Sequence, residues 1–243
     1  MHHLIENVKY ENPVFLMAGG FGKRLGLRTK DTPKPLLRVG DKPILETILT
    51  QFVARGFHNF YISTFYKAEM LYEYFGNGSR WGVSIEYVEE ESPLGTAGAL
   101  GLLPENHDGL PIIMMNGDLL TKVNFAELLE FHNEHNNTAT VCVCKYGIDV
   151  PYGVVEQDDF KIKSIIEKPT HNFFINAGIY VLNSSVRENI DGNSYLDMPQ
   201  LLQQQIENGE NVNMFPIHEY WLDIGREEEY VRAGEAYVKE FAS

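Results

Sequence analysis

The chain has 243 residues, and its 34 acidic side chains outnumber its 20 Lys and Arg side chains, which gives a formal net charge of −14 at pH 7. A hydrophobic fraction of 44% and a charged fraction of 22% are typical of a folded globular protein and exclude a disordered, collagen-like or coiled-coil chain. The acidic balance argues against a general nucleic-acid binder, because duplex binding needs a basic face.

The sequence predicts neither a transmembrane nor a signal segment. Its apolar runs are shorter than the ~20 residues that span a bilayer, and the first residues carry acids rather than a basic and then apolar leader. Cys142 and Cys144 stand two residues apart in a strand-like run, and we expect them to point to opposite faces and to form no disulfide. These features predict a reducing, cytoplasmic setting without a membrane partner.

The hydrophobic pattern alternates between strand and helix along the first part of the chain. The alternation predicts strands over residues 14–18, 60–64, 83–88, 111–115 and 139–145, and helices over 43–55, 68–75, 96–103 and 125–135. Alternating elements of these lengths indicate a mostly parallel sheet that helices cover on both faces.

The alternation of strands and helices ends after residue 146, where predicted strands follow one another directly. The pattern predicts a hairpin over 153–156 and 161–166, a strand over 174–182, a helix over 197–208 with Asp197 as its N-cap, a strand over 212–217 and a helix over 226–241. We therefore predict an α/β fold in one domain, with a Rossmann-like, mostly parallel sheet flanked by helices over 13–145, a mixed extension over 146–243, and an N-terminal segment over 1–12.

A glycine turn follows the first predicted strand. Gly19, Gly20 and Gly22 stand at its carboxyl end, where open α/β sheets bind ligands, and glycine lets backbone N–H groups approach phosphate oxygens. The turn is not a Walker loop, because Met17 stands where that motif requires glycine, and Leu25 likewise breaks the dinucleotide-binding fingerprint. We interpret the turn as a phosphate site of another kind.

Positive charge is concentrated after this turn. Seven of the 20 cations lie within residues 23–42, where two acids oppose them. Lys34 stands between two prolines, whose fixed φ angles stiffen the backbone around it, and a rigid lysine suits a preorganised phosphate clamp. With Arg24 it predicts a pair of cations around a triphosphate, although a bare charge run or turn is more often a solvated surface.

Asp118 stands where it can hold a metal ion, and a second acid, Asp223, is a further candidate residue. Asp118 follows a predicted buried strand, and Asp223 lies between apolar residues ahead of the last predicted helix. Mg²⁺ is a hard cation that proteins bind through one or two carboxylates together with substrate phosphates. Each acid can alternatively cap the segment that follows it.

These motifs resemble the sugar-phosphate nucleotidyltransferases, enzymes that make nucleotide-sugars. The resemblance runs from residue 13 to residue 237 through seven strings in the family's order: 19–25 with 33–35, 93–98, 116–118, 152–154, 167–169, 176–180 and 221–225. Lys23 stands where the family commonly has Thr, and residues 26–27 differ from its usual Arg-Pro. The strings are most similar to guanylyltransferases for mannose 1-phosphate or glucosamine 1-phosphate.

The resemblance implies a nucleotide-diphospho-sugar transferase fold, with a nucleotide-binding part over 13–145 and a sugar-binding part over 146–243. It implies that Mg²⁺ is held by Asp118 and Asp223, which are also catalytic together with Arg24 and Lys34. The nucleotide-binding residues would be Ala18, Gly19, Gly20, Gly22, Lys23, Glu90, Gly95 and Thr96. The sugar-phosphate-binding residues would be Gly153, Glu167, Lys168 and Asn176.

The expected reaction joins a nucleoside triphosphate and a sugar 1-phosphate and releases pyrophosphate. Glu90 stands at a position that resembles the one at which the family reads the base. A carboxylate only accepts hydrogen bonds and therefore suits guanine N1–H and N2–H₂, so we predict GTP.

Alternatives are a uridylyl-, cytidylyl- or thymidylyltransferase, a glycosyltransferase, or a catalytically silent nucleotide-sugar sensor. The glycosyltransferase is disfavoured because Asp118 lacks the second acid of an Asp-x-Asp motif. The resemblance also suggests a homo-oligomer and an upstream regulatory CBS region, with residues 1–12 as a linker remnant.

Overall fold

A computed structural model describes residues 9–104, 109–188 and 190–241 of the chain. Its strands are β1 (Tyr10–Met17), β2 (Arg38–Val39), β3 (Lys42–Pro43), β4 (Phe57–Thr64), β5 (Ser84–Glu89), β6 (Ile112–Asn116), β7 (Leu119–Thr121), β8 (Ala139–Asp149), β9 (Val154–Asp158), β10 (Lys161–Ile166), β11 (Thr170–Leu182), β12 (Val212–Ile217) and β13 (Trp221–Asp223). Its α-helices are α1 (Ile44–Ala54), α2 (Ala68–Phe75), α3 (Gly95–Gly98), α4 (Phe125–Glu134), α5 (Ser184–Arg187), α6 (Met198–Glu207) and α7 (Glu227–Glu240). Short 3₁₀ helices cover Lys23–Thr29, Lys34–Leu36, Ser79–Trp81 and Ala99–Leu102.

A seven-stranded sheet in the order β12-β8-β11-β6-β1-β4-β5 forms the centre of the fold. β11 runs antiparallel to both of its neighbours, β6 and β8, and the other neighbouring strands run parallel. This confirms the predicted α/β class and the mostly parallel sheet. From β1 the chain passes to β4 and β5 on one side, and it then crosses back to β6 on the other side of β1. The carboxyl ends of β1 and β6 therefore mark the point where such sheets bind ligands.

Helices cover both faces of the sheet because the strand side chains alternate between two cores. Val14 and Leu16 of β1 belong to one core together with α1, α4 and α7, and Phe15 between them belongs to the other core with α3 and α6. In the first core the ring of Phe52 stacks on Phe125 with 3.6 Å between the ring centroids. This packing holds α1 and α4 together on one face of the sheet.

The structure differs from the predicted elements in several places. The predicted helix over 96–103 is one α-helical turn and a 3₁₀ turn, because Gly98 and Gly101 pack against backbone: a Cβ on Gly98 would lie 2.7 Å from Ser194 O. β8 and β11 are longer than predicted, and they pair from Ala139 with Leu182 to Asp149 with Thr170, with a register shift between Asn176 and Tyr180. The short ladder between β7 and β13 lies outside the predicted elements.

The predicted hairpin is confirmed as the antiparallel pair β9 and β10, and Asp197 is confirmed as the residue before α6. The expectation that Cys142 and Cys144 point to opposite faces is wrong: alternate residues of a strand share a face, and both thiols lie in the same core. Both cysteines are free within the described chain. None of the described helices is long and apolar enough to span a membrane. Residues 1–8 of the predicted N-terminal segment lie outside the described residues.

Candidate active site

A cavity of about 490 Å³ opens at the carboxyl ends of β1 and β6. It lies at the point where the sheet connections diverge, so its position agrees with the rule for open α/β sheets. Twelve of the sequence-predicted site residues line it: Ala18, Gly19, Gly20, Gly22, Lys23, Arg24, Lys34, Glu90, Gly95, Thr96, Asp118 and Asp223. These are all of the predicted catalytic and nucleotide-binding residues.

The glycine turn is held in place by the strands beside it. The backbone N–H of Ala18 lies 3.2 Å from both the carbonyl and the hydroxyl oxygen of Ser63 at the end of β4. Gly22 has a φ of +62°, and a Cβ there would lie 2.8 Å from Thr29 Cγ2, so the left-handed turn and its close packing both require glycine. The hydroxyl of Thr29 donates to the Gly22 carbonyl at 3.1 Å, which closes the turn against the 3₁₀ helix that follows.

Lys34 forms an ion pair with Asp118. The lysine lies in the 3₁₀ turn that follows Pro33, and it is 7% exposed, so its Nζ is held inside the cavity wall and binds Asp118 Oδ2. The predicted stiff lysine is therefore a buried cation. Asp118 remains more open than its partner, which leaves part of its carboxylate facing the cavity.

The ladder between β7 and β13 brings Asp118 beside Asp223, although 105 residues separate them in the sequence. Asp223 pairs with Leu119, and the Ile224 N–H donates to the Asp118 carbonyl at 3.0 Å. A short antiparallel pairing of this kind has no local sequence signature, which is why the sequence indicated the two acids but not how they meet.

Asp223 is placed where a cation would stabilise it. Its Oδ1 is buried and has no hydrogen-bond partner among the described residues. Burial raises the pKa of Asp223 and the negative charge of Asp118 raises it further, while Lys34 and Arg24 partly oppose the shift. An unpartnered carboxylate oxygen beside a second carboxylate fits the oxygen-ligand chemistry of a hard divalent cation, so the residues present fit such an ion.

Glu90 forms the wall of the cavity at another point. It follows β5 directly, is 6% exposed, and accepts the Leu94 N–H on Oε2 at 3.0 Å. Its Oε1 would lie 2.8 Å from a Cβ on Gly19, so only glycine leaves room for the carboxylate beside the turn. Burial raises the pKa of Glu90, and the hydrogen bonds from Leu94 and Ser63 limit the rise.

Nine of the residues that line the cavity were absent from the predicted site, and Tyr195 and Asp197 are two of them. Tyr195 and Asp197 line the cavity from the segment that joins α5 and α6, and the Tyr195 hydroxyl donates to Asp197 Oδ2 at 2.9 Å. That hydrogen bond and the carboxylate charge raise the pKa of Tyr195. The sequence pattern predicted only a capping role for Asp197, and a local pattern that already explains an acid gives no signal for a second role.

The predicted sugar-phosphate residues lie outside the cavity wall formed by the described residues. Gly153, Glu167 and Lys168 come together at the base of the β9–β10 hairpin: a Cβ on Gly153 would lie 3.0 Å from Glu167 Oε2, and the Lys168 N–H donates to Tyr152 O at 3.3 Å. All three are exposed. Their assignment to the sugar phosphate stays a prediction.

Asn176, the fourth predicted sugar-phosphate residue, stands apart from the hairpin on β11. Its Oδ1 accepts the Gly178 N–H at 2.9 Å, and a Cβ on Gly178 would lie 2.6 Å from Asn116 Nδ2. Asn116 lines the cavity, so Asn176 is connected to the cavity wall through the backbone at Gly178.

The fold and the cavity together define an open α/β sheet protein with a charged cavity at the carboxyl edge of its central strands. The chain belongs to the nucleotidyl transferase family, whose model matches residues 14–240. Members of this family generally use a divalent metal ion. These findings confirm the fold class and the family that the sequence motifs predicted.

Relatives of the chain are similar over most of its length. It is 33% identical over 223 residues to the mannose-1-phosphate guanyltransferase of Yarrowia lipolytica, covering 89% of this chain and 61% of the relative. It is 30% identical over 234 residues to the mannose-1-phosphate guanylyltransferase of Mycobacterium tuberculosis, covering 93% and 65%. The chain thus spans less than two thirds of the length of these curated relatives.

A solved structure with a similar fold is that of HddC from Yersinia pseudotuberculosis complexed with GMP-PN. The two structures superpose with a TM-score of 0.73 at 25% sequence identity, covering 93% of this chain and 99% of that chain.

Proposed function

We propose that this chain transfers a guanylyl group from GTP to a sugar 1-phosphate of the mannose or glucosamine type, releasing pyrophosphate, with Mg²⁺ as the metal ion. The observation that carries the proposal is the convergence of Arg24, Lys34, Asp118 and Asp223 in one cavity at the carboxyl edge of the sheet. The names of the two mannose-1-phosphate relatives support the substrate class.

In the proposed reaction an oxygen of the sugar phosphate forms a bond to the α-phosphorus of GTP. The bond between that phosphorus and the oxygen that bridges to the β-phosphorus breaks, and its electron pair leaves with pyrophosphate. A phosphate monoester is already ionised at pH 7, so the attacking oxygen needs no general base. The main task of the site is therefore to stabilise negative charge on two polyanions.

Two cations of the chain contribute to that task. Arg24 and Lys34 stabilise the charge on the α-phosphoryl group and on the leaving pyrophosphate, and the N–H groups of the glycine turn bind the remaining phosphate oxygens. The ion pair with Asp118 holds the Lys34 amine in the cavity before substrate binds. Asp118 and Asp223 would hold Mg²⁺, which when bound neutralises charge on the reacting phosphates.

Glu90 gives the proposed preference for guanine. One oxygen is engaged by the Leu94 N–H, and the other stands beside Gly19 in the cavity wall. A carboxylate there accepts guanine N1–H and N2–H₂, whereas uracil and thymine present an edge rich in acceptors. The HddC complex with GMP-PN, a compound built on guanosine monophosphate, supports a guanine nucleotide in this fold.

The test measures pyrophosphate release by the purified protein with Mg²⁺. GTP, UTP, CTP and dTTP are each crossed with mannose, glucose and glucosamine 1-phosphates. We expect turnover with GTP and with mannose or glucosamine 1-phosphate, and its loss in Asp118→Asn but not in Glu235→Gln, an exposed acid on α7. Preferred turnover of another nucleotide would contradict the guanine assignment, and a folded but inactive protein would favour a nucleotide-sugar sensor.

Four further expectations complete the proposal. Gly153, Glu167, Lys168 and Asn176 would bind the sugar phosphate, from the part of the chain after residue 145. A homo-oligomer, an upstream CBS region and a cytoplasmic setting stay predictions.

A further inference from the structure

The segment that joins α5 to α6 packs against the cavity wall with no room for side chains between them. The Leu196 carbonyl accepts the N–H groups of Ala97 and Gly98 at 2.9 and 3.1 Å, and the Leu196 N–H donates to Leu94 O at 2.9 Å. A Cβ on Gly95 would lie 2.6 Å from Leu196 O. Residues from two distant parts of the sequence therefore form one continuous wall.

The carboxylate of Asp197 links the two sides of this wall. Its Oδ1 accepts the backbone N–H of Thr96 at 3.2 Å and lies 3.3 Å from the Thr96 hydroxyl, while its Oδ2 accepts the Tyr195 hydroxyl. The Thr96 hydroxyl also accepts the Met198 N–H at 2.8 Å. Tyr195 is 64% exposed, so its ring stands at the mouth of the cavity with its orientation set by Asp197.

We propose that Asp197 is a positioning residue for nucleotide selection: it holds Thr96 and Tyr195 in the wall against which the base of the nucleotide is read. Residues 94–96 are bonded to an acid at both ends, because Glu90 accepts the N–H of Leu94 and Asp197 accepts the N–H of Thr96. Hydrogen bonds to an ionised acceptor are the stronger kind, so the segment has one defined position. The inference rests on the proposed function only in that the cavity binds a nucleoside triphosphate.

Asp191 supplies a matched comparison within the same segment. Its carboxylate accepts the N–H of Asn193 at 2.9 Å and both the N–H and the hydroxyl of Ser194 at 3.0 Å. Like Asp197 it orders the segment, but these hydrogen bonds stay within the segment itself. A variant of Asp191 therefore reports what loss of local order does, and a variant of Asp197 reports the additional loss of the contact with Thr96 and of the N-cap of α6, a cap that Tyr195→Phe leaves in place.

The experiment measures the Kd for GTP and for UTP by calorimetry and, in parallel, kcat and KM for each nucleotide. In Asp197→Ala we expect the Kd for GTP to rise about tenfold and the preference for GTP over UTP to fall, because three hydrogen bonds are removed. We expect kcat to stay within about twofold, since the hydrogen bonds of the Asp197 carboxylate go to Thr96 and Tyr195 and not to Arg24 or Lys34, the proposed phosphate-binding side chains. Asp191→Ala should leave the ratio of the two Kd values unchanged.

A second variant guards against failure of Asp197→Ala to fold. Tyr195→Phe removes one exposed hydroxyl and keeps the ring, and we expect a rise of about threefold in the Kd for GTP. Amide hydrogen exchange of Thr96 should become faster in Asp197→Ala, because its N–H loses its acceptor. An unchanged Kd ratio in both variants, or an equal change in Asp191→Ala, would overturn the proposal.

The two proposals fail in different ways. If no sugar 1-phosphate is turned over, the proposed function is wrong, and the Kd ratio of the variants still tests Asp197. If the protein prefers a base other than guanine, the guanine assignment is wrong, and Asp197→Ala should then weaken that other preference.

Discussion

Replacing Lys34 with methionine removes a buried cation from the cavity while keeping most of the side-chain volume. A charge pair at 4 Å with an effective dielectric constant near 20 is worth about 4 kcal/mol, and losing a preorganised group that stabilises transition-state charge costs about 10²–10³ in kcat. Because Lys34 is 7% exposed, solvent supplies little replacement charge at its position. We therefore expect kcat of Lys34→Met to fall about 10²- to 10³-fold.

The assay is steady-state pyrophosphate release at saturating GTP, sugar 1-phosphate and Mg²⁺. Lys34→Arg keeps the charge with a different shape and should retain more activity than Lys34→Met, and Lys239→Met, an exposed cation on α7, should be neutral. Circular dichroism and a melting curve establish that each variant is folded. A folded Lys34→Met protein with kcat within tenfold of the parent would refute the assignment of this lysine to charge stabilisation.

Three further predictions address the base, the metal pair and the core. Glu90→Gln should lower kcat/KM for GTP relative to UTP, because it replaces one acceptor with a donor; an unchanged ratio in pyrophosphate release would remove Glu90 from base reading. Because the pKa of Asp223 is raised, its carboxyl group binds a proton more tightly in the folded state than in the unfolded state. The metal-free free energy of unfolding should therefore fall as pH rises from the ordinary value of 3.8 through the raised pKa. Urea unfolding in EDTA should show that fall, and Asp223→Asn should remove its contribution. Phe52→Ala should lower the free energy of unfolding by about 3–5 kcal/mol in urea titrations, since it removes the ring that stacks on Phe125 and leaves a cavity in the core.

Local patterns were enough to predict the elements that build the sheet. The helix over 68–75 and the strand over 212–217 have the predicted bounds, because an amphipathic period and a bounded β-rich run are both encoded within one element. The glycine turn was also predictable, since Gly22 has a positive φ that other residues rarely adopt. Where the local backbone conformation requires a particular residue type, that residue type predicts the conformation.

The parts that were not predictable depend on contacts between distant segments. Leu119 and Asp223 pair across a two-stranded ladder of three residues each, which is too short to show alternation. Thr96 and Asp197 are in contact because the loop before α6 passes over α3. The local sequence around either residue does not predict this contact. The sequence could therefore indicate the acids and cations of the site, while their partners required the folded chain.

The sequence also did not distinguish between the cations of residues 23–42, which have different partners in the structure. Arg28 forms three hydrogen bonds of 2.6 to 2.9 Å with the carboxylate of Glu227, and its guanidinium lies 4.5 Å from the Tyr230 ring centroid, so it anchors the loop to α7. This contact lowers the pKa of Glu227. Arg28 therefore stabilises the packing of this segment on α7 and is not among the residues that line the cavity.

The charge balance inside the cavity follows from this division. Of the described residues, the three basic side chains that line it face four carboxyl groups: Lys23, Arg24 and Lys34 against Glu90, Asp118, Asp197 and Asp223. The side chains alone thus provide no surplus of positive charge for a triphosphate and a sugar phosphate together. A divalent cation between the two aspartates would change that balance and satisfy the unpartnered Asp223 oxygen, so the charge of this chain's own residues supports the metal ion in the proposed reaction.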